Sequence, residues 1–459
     1  MKSSQSIHDV IIVGAGLSGL SAAHFIGKRA PEMQVLLLER KERVGGAIRS
    51  SRVDGYLVEH GPHGYLDNVK ESQELLHDLD MDAEVQRASL KEFIRYLCLE
   101  GKLTAIPQHP AKIIKSRILP FSKKVRVLAG LWKRPEPAEQ TVAEWVARRF
   151  GKSILPFADA VITGTHAGDI HKLSMDAIFP GIRKMELGSG SVIGGLIRSE
   201  EKRASKGLPA MISFRNGMET LILKLASRYS IRTQVKVDHI RRKDSHWIVK
   251  TSREELKSRR LVVATNINQA LELLSPLASP PLPQVPEAHL ANVVMGFRQQ
   301  NAAIPHGFGF LAPQREKRFV LGVLFSTHMF PGRAPDSHAL IEVLVGGRHH
   351  PDRVALGDDE LVERSYEDIA QLMKLEEYPV FTKVIRTKTG IPQLEMGHLK
   401  LQAYKDRLEE RFKGLFITGF GWMGIGINDM IKQAKAVADR LTIGDAEMGD
   451  TVKTKGIYF

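Results

Sequence analysis

The 459-residue sequence predicts an α/β chain with α+β character: a Rossmann-like nucleotide domain, a discontinuous antiparallel-sheet domain and a helical insert. Three observations predict it. A glycine-rich turn joins an apolar strand to a helix within the first twenty residues. A second such turn, at 419–424, again lies between strand and helix. Between them run short β-rich segments, a Pro-rich crossover over 275–286 and a long basic stretch.

Asp9 to Val13 is an apolar, β-branched run long enough for one buried strand of a parallel sheet. The turn Gly14-Ala15-Gly16-Leu17-Ser18-Gly19 then has G-x-G-x-x-G spacing. The first glycine permits a tight turn, the second lets backbone approach a pyrophosphate, and the third lets helix pack on strand. Residues 18–29 are good helix formers, and the free N–H groups at that helix start face an anion. A second strand, 35–39, ends in Glu39, twenty residues past Gly19, where a carboxylate can accept ribose hydroxyls.

The bulk numbers narrow the class. Hydrophobic content of 43% is that of a globular protein, and no run of 18 apolar residues exists to span a bilayer. No signal-peptide pattern precedes the first strand, so a cytoplasmic location is expected. Cys98 is the only cysteine, which excludes internal disulfides and cysteine-based metal sites. His60 and His63 form an H-x-x-H pair on a Gly/Pro loop without a third ligand, so no metal is expected there.

The net charge of +14 is unevenly placed. Between Gly101 and Pro135 stand nine Lys or Arg residues and no acid, interleaved with aliphatics and Trp132. That pattern suits a helical surface lying on anionic lipid. Without a recognised nucleic-acid motif, nucleic acid is not an expected partner.

Further motifs carry a resemblance. Arg40 and the Gly45-Gly46-Ala47 turn follow the second strand, and Glu59-His60-Gly61-Pro62-His63-Gly64 comes after. Both are similar to motifs of the FAD-containing amine oxidase and protoporphyrinogen oxidase superfamily, where they lie beside the dinucleotide and the isoalloxazine. Gly164-x-x-Ala-Gly-Asp-x-x-x-Leu-Ser174, Phe179-Pro-Gly-Ile182 and Glu186-x-x-x-Gly190-Ser191 narrow the resemblance to the protoporphyrinogen oxidase branch. Val237, on an expected strand over 234–238, matches the family's backbone contact to adenine. Leu261 to Asn266 is a further buried strand, similar to the family's Val-Val-x-Ala-Thr motif.

Gly419, Gly421 and Gly424 repeat the G-x-G-x-x-G spacing, but no following strand or acid completes a second nucleotide site. A helix N-terminus aimed at the flavin pyrimidine explains them, with its positive end toward reduced flavin. Ile425, Gly426 and Ile427 resemble the family's C-terminal flavin motif.

The resemblance implies non-covalent FAD held in three sequence parts, 1–90, 211–275 and 409–445. It implies a helical membrane-facing and substrate insert at 91–210 and a substrate domain at 276–408, with 446–459 a tail. The implied activity is oxidation of a porphyrinogen in three two-electron hydride transfers to flavin N5, with oxygen or another acceptor, peripheral attachment to the cytoplasmic membrane, and room for a homodimer. No nucleophile or acid–base pair is called for, since the cofactor carries the chemistry.

Arg95 falls at the family's Arg-Tyr/Phe-Leu position, where a guanidinium can hold a propionate; the alternative is a surface cation among 66 Lys and Arg. Gly164 is the second substrate-site residue. Leu394 and residues 387–389 depart from the family's aromatic pattern, leaving protoporphyrinogen and coproporphyrinogen both open. A flavin amine oxidase and a non-catalytic, basic FAD-containing membrane-binding protein are the other readings.

Sheet elements are expected at 292–297, 319–325 and 340–345, a hairpin turning at 100–102, and helices at 71–79, 138–150 and 359–375.

Overall fold

The computed structural model describes residues 7–89, 94–106, 125, 129–130, 133–189, 209–299 and 304–443. Strand Ile7–Val13 lies parallel to Val35–Leu38 on one side and to Glu255–Val263 on the other. Ser230–Arg232 extends the sheet beyond Val35–Leu38, and His246–Thr251 and Val237–Lys243 extend it at the opposite end. Leu415–Ile417 pairs in parallel with Leu261 to Val263, the half of that strand not taken by His246–Thr251. Strands covered on both faces should read as unbroken apolar runs, and Val10, Ile11 and Ile12 have no exposed surface.

Helices Leu17–Arg29 and Ile427–Ile443 pack together on one face, through a core that includes Leu20, Ala23, Phe25, Ile431, Ala434 and Ala438. Lys28 and Arg29 occupy the last turn of the first helix, where cations complement the helix dipole, and Arg29 pairs with Asp439 at 2.6 Å. On the other face, Ile267–Leu274 and His398–Arg411 close a second core around Trp247 and Trp422.

A second seven-stranded sheet runs Phe381–Arg386, Leu290–Arg298, His338–Gly346, Gly322–Leu324, Gly309–Leu311, Arg95–Leu99 and Lys102–Ile106. It is antiparallel except where Gly309–Leu311 lies parallel to Arg95–Leu99. The hairpin turns at Glu100 and Gly101, both in the left-handed region (φ 53° and 70°). Helix Asp358–Met373 covers this sheet through Leu361, Ile369 and Met373.

Two strand expectations are corrected. Residues 319–321 are not strand, because the Asp368 carboxylate takes the amide N–H groups of Phe319 and Val320 at 3.0 Å. The strand expected from 234 begins only at Val237, because Gln234 adopts φ 56° and its N–H goes to the Lys41 carbonyl.

The helical part holds Val142–Phe150, Leu155–His166, Met175–Ile178 and Pro180–Ser189. The first starts at 142 rather than 138, since Thr141 and Glu144 form a reciprocal capping box. Its centre is ionic. The fully buried Glu186 carboxylate takes Arg183 at 2.6 Å, Trp145 Nε1 at 2.8 Å and the equally buried Arg149. Most of the basic stretch, 107–124, 126–128 and 131–132, lies outside the described residues. Among the described residues, no helix is long and apolar enough to cross a membrane.

Candidate cofactor and substrate cavity

One cavity of about 1120 Å³ runs between the two sheets and the helical part. At one end lies the opening glycine turn. Gly14 needs its glycine (φ 103°), because a Cβ there would stand 3.0 Å from the Ala264 carbonyl oxygen. At Gly19 a Cβ would stand 1.9 Å from the Gly14 oxygen, so this glycine serves helix–strand contact. Gly16 differs: a Cβ there would meet only the Gly46 backbone, at 3.8 Å from Cα and 4.0 Å from N. The Gly45-Gly46 turn is tied across by Gly45 N–H to the Ala15 carbonyl at 2.8 Å, and Arg43 holds it by donating to the Gly46 carbonyl at 2.7 Å.

Glu39 follows the second strand and is 8% exposed. Its carboxylate accepts the Ala15 N–H at 3.0 Å and the Lys41 N–H at 2.9 Å, one on each oxygen. The remaining lone pairs are free to accept ligand hydroxyls.

Gly61 and Gly64 sit against backbone, where a Cβ would stand 2.3 Å from the Ala47 oxygen and 2.5 Å from the Ile212 oxygen. Between them His63 forms a short ion pair with buried Glu342, which also accepts from Asn292 and Ser326 at 2.7 Å each. Burial opposes a charged His63, but Glu342 outweighs it and raises its pKa; Glu342 is lowered in turn, its own burial outweighed by His63, Asn292 and Ser326. His60 instead meets Ser51 Oγ at 2.9 Å, so the two histidines do not converge. Among the described residues no His, Cys, Asp or Glu group could hold a metal ion.

Beyond His63 the cavity opens into a mainly apolar chamber bounded by Val161, Phe179, Phe308, Phe310, Leu311 and Leu324. Arg95 enters it from the start of strand Arg95–Leu99, with its guanidinium 5.4 Å from the Phe308 ring centroid. Among the described residues no carboxylate pairs with Arg95, whose side chain is exposed to the open cavity, and partial desolvation there lowers its pKa. Gly164, on helix Leu155–His166, lines the same chamber; a Cβ would stand 2.7 Å from Leu311 Cδ1.

Of the residues expected from sequence, Gly14, Gly16, Leu17, Ser18, Glu39, Arg40, Gly45, Gly46, Ala47, Gly61, Pro62, His63, Gly64, Val237, Ile425, Gly426, Ile427, Arg95 and Gly164 all line this cavity. Ala15, Gly19 and Gly419 are not among the lining residues. An added Cβ at Gly419 or Gly421 would meet Thr265 or Pro392, so those two serve packing; Gly424 lines the cavity, beside the Asp429 carboxyl. Helix Ile427–Ile443 still begins at the cavity, with Asp429 in its first turn. The Asp429 carboxyl accepts the Gly426 N–H at 3.1 Å, and burial pushes its pKa up.

Residues 17–442 match the family of flavin-containing amine oxidoreductases. The chain belongs to this family. Within it, the chain is 26% identical to coproporphyrinogen III oxidase of Bacillus subtilis (strain 168), over 94% of this chain and 98% of that one. It is 27% identical to the mitochondrial protoporphyrinogen oxidase of Nicotiana tabacum, over 94% of each. In fold it resembles a candidate protoporphyrinogen oxidase from Exiguobacterium sp. 255-15, with a TM-score of 0.81, 23% identity, and coverage of 96% of this chain and 100% of that one.

The family's flavin gives the glycine cleft an occupant. Space at Gly16 bounded only by Gly46 is what a pyrophosphate between two backbone segments requires. Asn292 and His166 are among the cavity residues that escaped the sequence reading. Asn292 sits in an ordinary strand pattern. His166 lies inside the Gly164-to-Ser174 motif, and only its placement in space marks it.

Proposed function

We propose that this chain is a FAD-dependent porphyrinogen oxidase of porphyrin biosynthesis, acting on protoporphyrinogen IX. The carrying observation is that one cavity joins the dinucleotide cradle to an apolar chamber whose cation, Arg95, has no described counter-ion. A porphyrinogen is a large apolar ring with carboxylates at its rim and fits that distribution. Coproporphyrinogen III is the second reading, favoured by the full-length 26% match to the B. subtilis enzyme. An ammonium substrate would meet Arg95 with like charge, which disfavours an amine oxidase activity.

FAD would supply the two-electron acceptor for each of three hydrides, one proton leaving the macrocycle to solvent with each, and oxygen or another acceptor would reoxidise it. The chain's own residues bind and orient. Gly16 and Gly46 admit the pyrophosphate, Glu39 takes ribose hydroxyls, and Val237 offers backbone to adenine. The start of helix Ile427–Ile443 places positive dipole at the cavity. Cys98, the single cysteine, does not line the cavity, which removes a cysteinyl link and supports non-covalent attachment. Arg95 anchors a propionate, and the apolar walls exclude water.

The test is direct. Bound flavin should bleach when either porphyrinogen is added without air and recover on aeration; flavin that stays oxidised with both overturns the reading. Arg95→Ala should raise KM ten- to a hundredfold, since a charge-assisted hydrogen bond contributes about 1.5–3 kcal/mol. A propionate remote from the reacting carbon is held alike in ground and transition states, so kcat should hold. A collapse of kcat at unchanged KM would remove Arg95 from the anchor role.

We also propose peripheral attachment to anionic membrane through the 101–135 stretch, supported by its charge pattern. Each cation near such a surface contributes about 1 kcal/mol, screened by salt. Liposome sedimentation should fall with added salt and on neutralising Lys123, Lys124 and Arg126. Equal binding to neutral vesicles would exclude this mode.

A further inference from the structure

Helix Leu155–His166 ends at the chamber wall on a histidine. The helix end is fixed from both sides. Ala167 adopts the left-handed conformation (φ 47°), and Gln393 Nε2 donates to the His166 carbonyl at 2.9 Å and to that of Ile391 at 3.0 Å. The ring itself is set by its neighbour. Thr165 Oγ1 lies 2.8 Å from the Val161 carbonyl and 2.7 Å from His166 Nδ1. A hydroxyl carries one hydrogen. With that hydrogen assigned to Val161, both contacts are hydrogen bonds only when the ring donates through Nδ1, which leaves Nε2 with an acceptor lone pair.

Burial alone drives the His166 pKa down to about 4, so the ring is uncharged near neutral pH. The chamber therefore presents a cation at Arg95 and, on helix Leu155–His166, a neutral nitrogen acceptor. A porphyrinogen carries four pyrrole N–H donors at its centre and no acceptor nitrogen. The oxidised porphyrin has replaced two of those donors by imine nitrogens.

We propose that His166 Nε2 accepts a hydrogen bond from a pyrrole N–H of the porphyrinogen and so favours the reduced macrocycle over the oxidised product. This deepens the porphyrinogen reading and rests on it. His166 is a positioning residue here. After oxidation, an imine nitrogen brought to the same place would set lone pair against lone pair.

Three variants of the FAD-loaded protein test it, with KM for both porphyrinogens and the equilibrium Kd of the porphyrin products read in each. His166→Phe keeps the ring volume and removes the acceptor. KM should rise about five- to tenfold, the loss of one neutral hydrogen bond, with kcat held within about twofold. Porphyrin Kd should stay unchanged or tighten. His166→Gln, with its amide oxygen, should restore KM to within about threefold of wild type. Thr165→Val is nearly isosteric and keeps the histidine, but frees the ring to place its hydrogen on Nε2, so KM should again rise several-fold. Flavin content should match wild type in all three.

An unchanged KM in both His166→Phe and Thr165→Val overturns the proposal. So does a porphyrin Kd that weakens in step with KM, since a packing role would cost both macrocycles alike. Should His166→Phe lose flavin, the Thr165→Val result decides. A wild type inert toward both porphyrinogens overturns the functional reading and this proposal with it; an active wild type with insensitive variants overturns only the role of His166.

Discussion

Gly16→Val protein should purify without visible flavin yet fold. The two halves of this expectation have different sources. At Gly14 and Gly19 an added Cβ would strike backbone, at 3.0 Å and 1.9 Å, so those substitutions damage the strand–turn–helix unit itself. At Gly16 the nearest atom to a Cβ is Gly46 Cα at 3.8 Å, and the space belongs to the cavity. A valine there fills the gap a pyrophosphate needs while leaving the protein's own contacts intact. The checks are flavin absorbance per polypeptide and a melting curve compared with flavin-stripped wild type. Full retention of FAD in the variant would remove the pyrophosphate from this turn. Loss of both flavin and fold would mean that the turn has no slack.

The second large effect concerns Glu186, far from the glycine turn. Its carboxylate is fully buried among Arg149, Arg183, Trp145 and the partly buried Arg148. Burial alone would raise its pKa; Trp145, Arg149 and Arg183 outweigh that and hold it below the usual value. Glu186→Ala leaves two buried guanidinium groups without their shared anion. Removing one partner of a buried ion pair costs about 3–5 kcal/mol. Urea unfolding at neutral pH should show a loss of that order.

The pH dependence has a definite sign. A carboxylate with lowered folded pKa contributes stability that is fully present above its ordinary value of 4.5 and is lost as pH falls through the folded pKa. The gap between wild type and variant should therefore narrow below about pH 4.5. A neutral-pH loss under about 1 kcal/mol would show that the arginines find other partners or water.

The cofactor end was legible because its signals are local. Gly14, Gly16, Gly19 and Glu39 fall within one strand–helix–strand unit, so their spacing in sequence is nearly their spacing in space. The hairpin carrying Arg95 was legible for the same reason. Features decided by distant partners were not. Residues 319–321 read as strand, but Asp368, almost fifty positions away, takes the amides of Phe319 and Val320. Gly421 and Gly424 carried a nucleotide spacing whose space Pro392, Ile267 and Asp429 fill. The role proposed for His166 was hidden because it depends on where Thr165 directs its one hydroxyl hydrogen, and on the chamber the ring lines.

The order of strands in the nucleotide sheet also sets a schedule. Leu261 to Val263 must await Leu415–Ile417, more than 150 residues further along, and the five antiparallel-sheet strands from Leu290–Arg298 to Phe381–Arg386 are made in between. At about 5–20 residues per second, translation separates the two partners by on the order of ten seconds. Helix Ile427–Ile443, which packs on Leu17–Arg29, comes later still. The growing chain thus exposes an unclosed sheet edge and one bare helix face while the antiparallel sheet is already made. The cavity gains its last wall, at Ile427 to Met430, only when this final helix is in place.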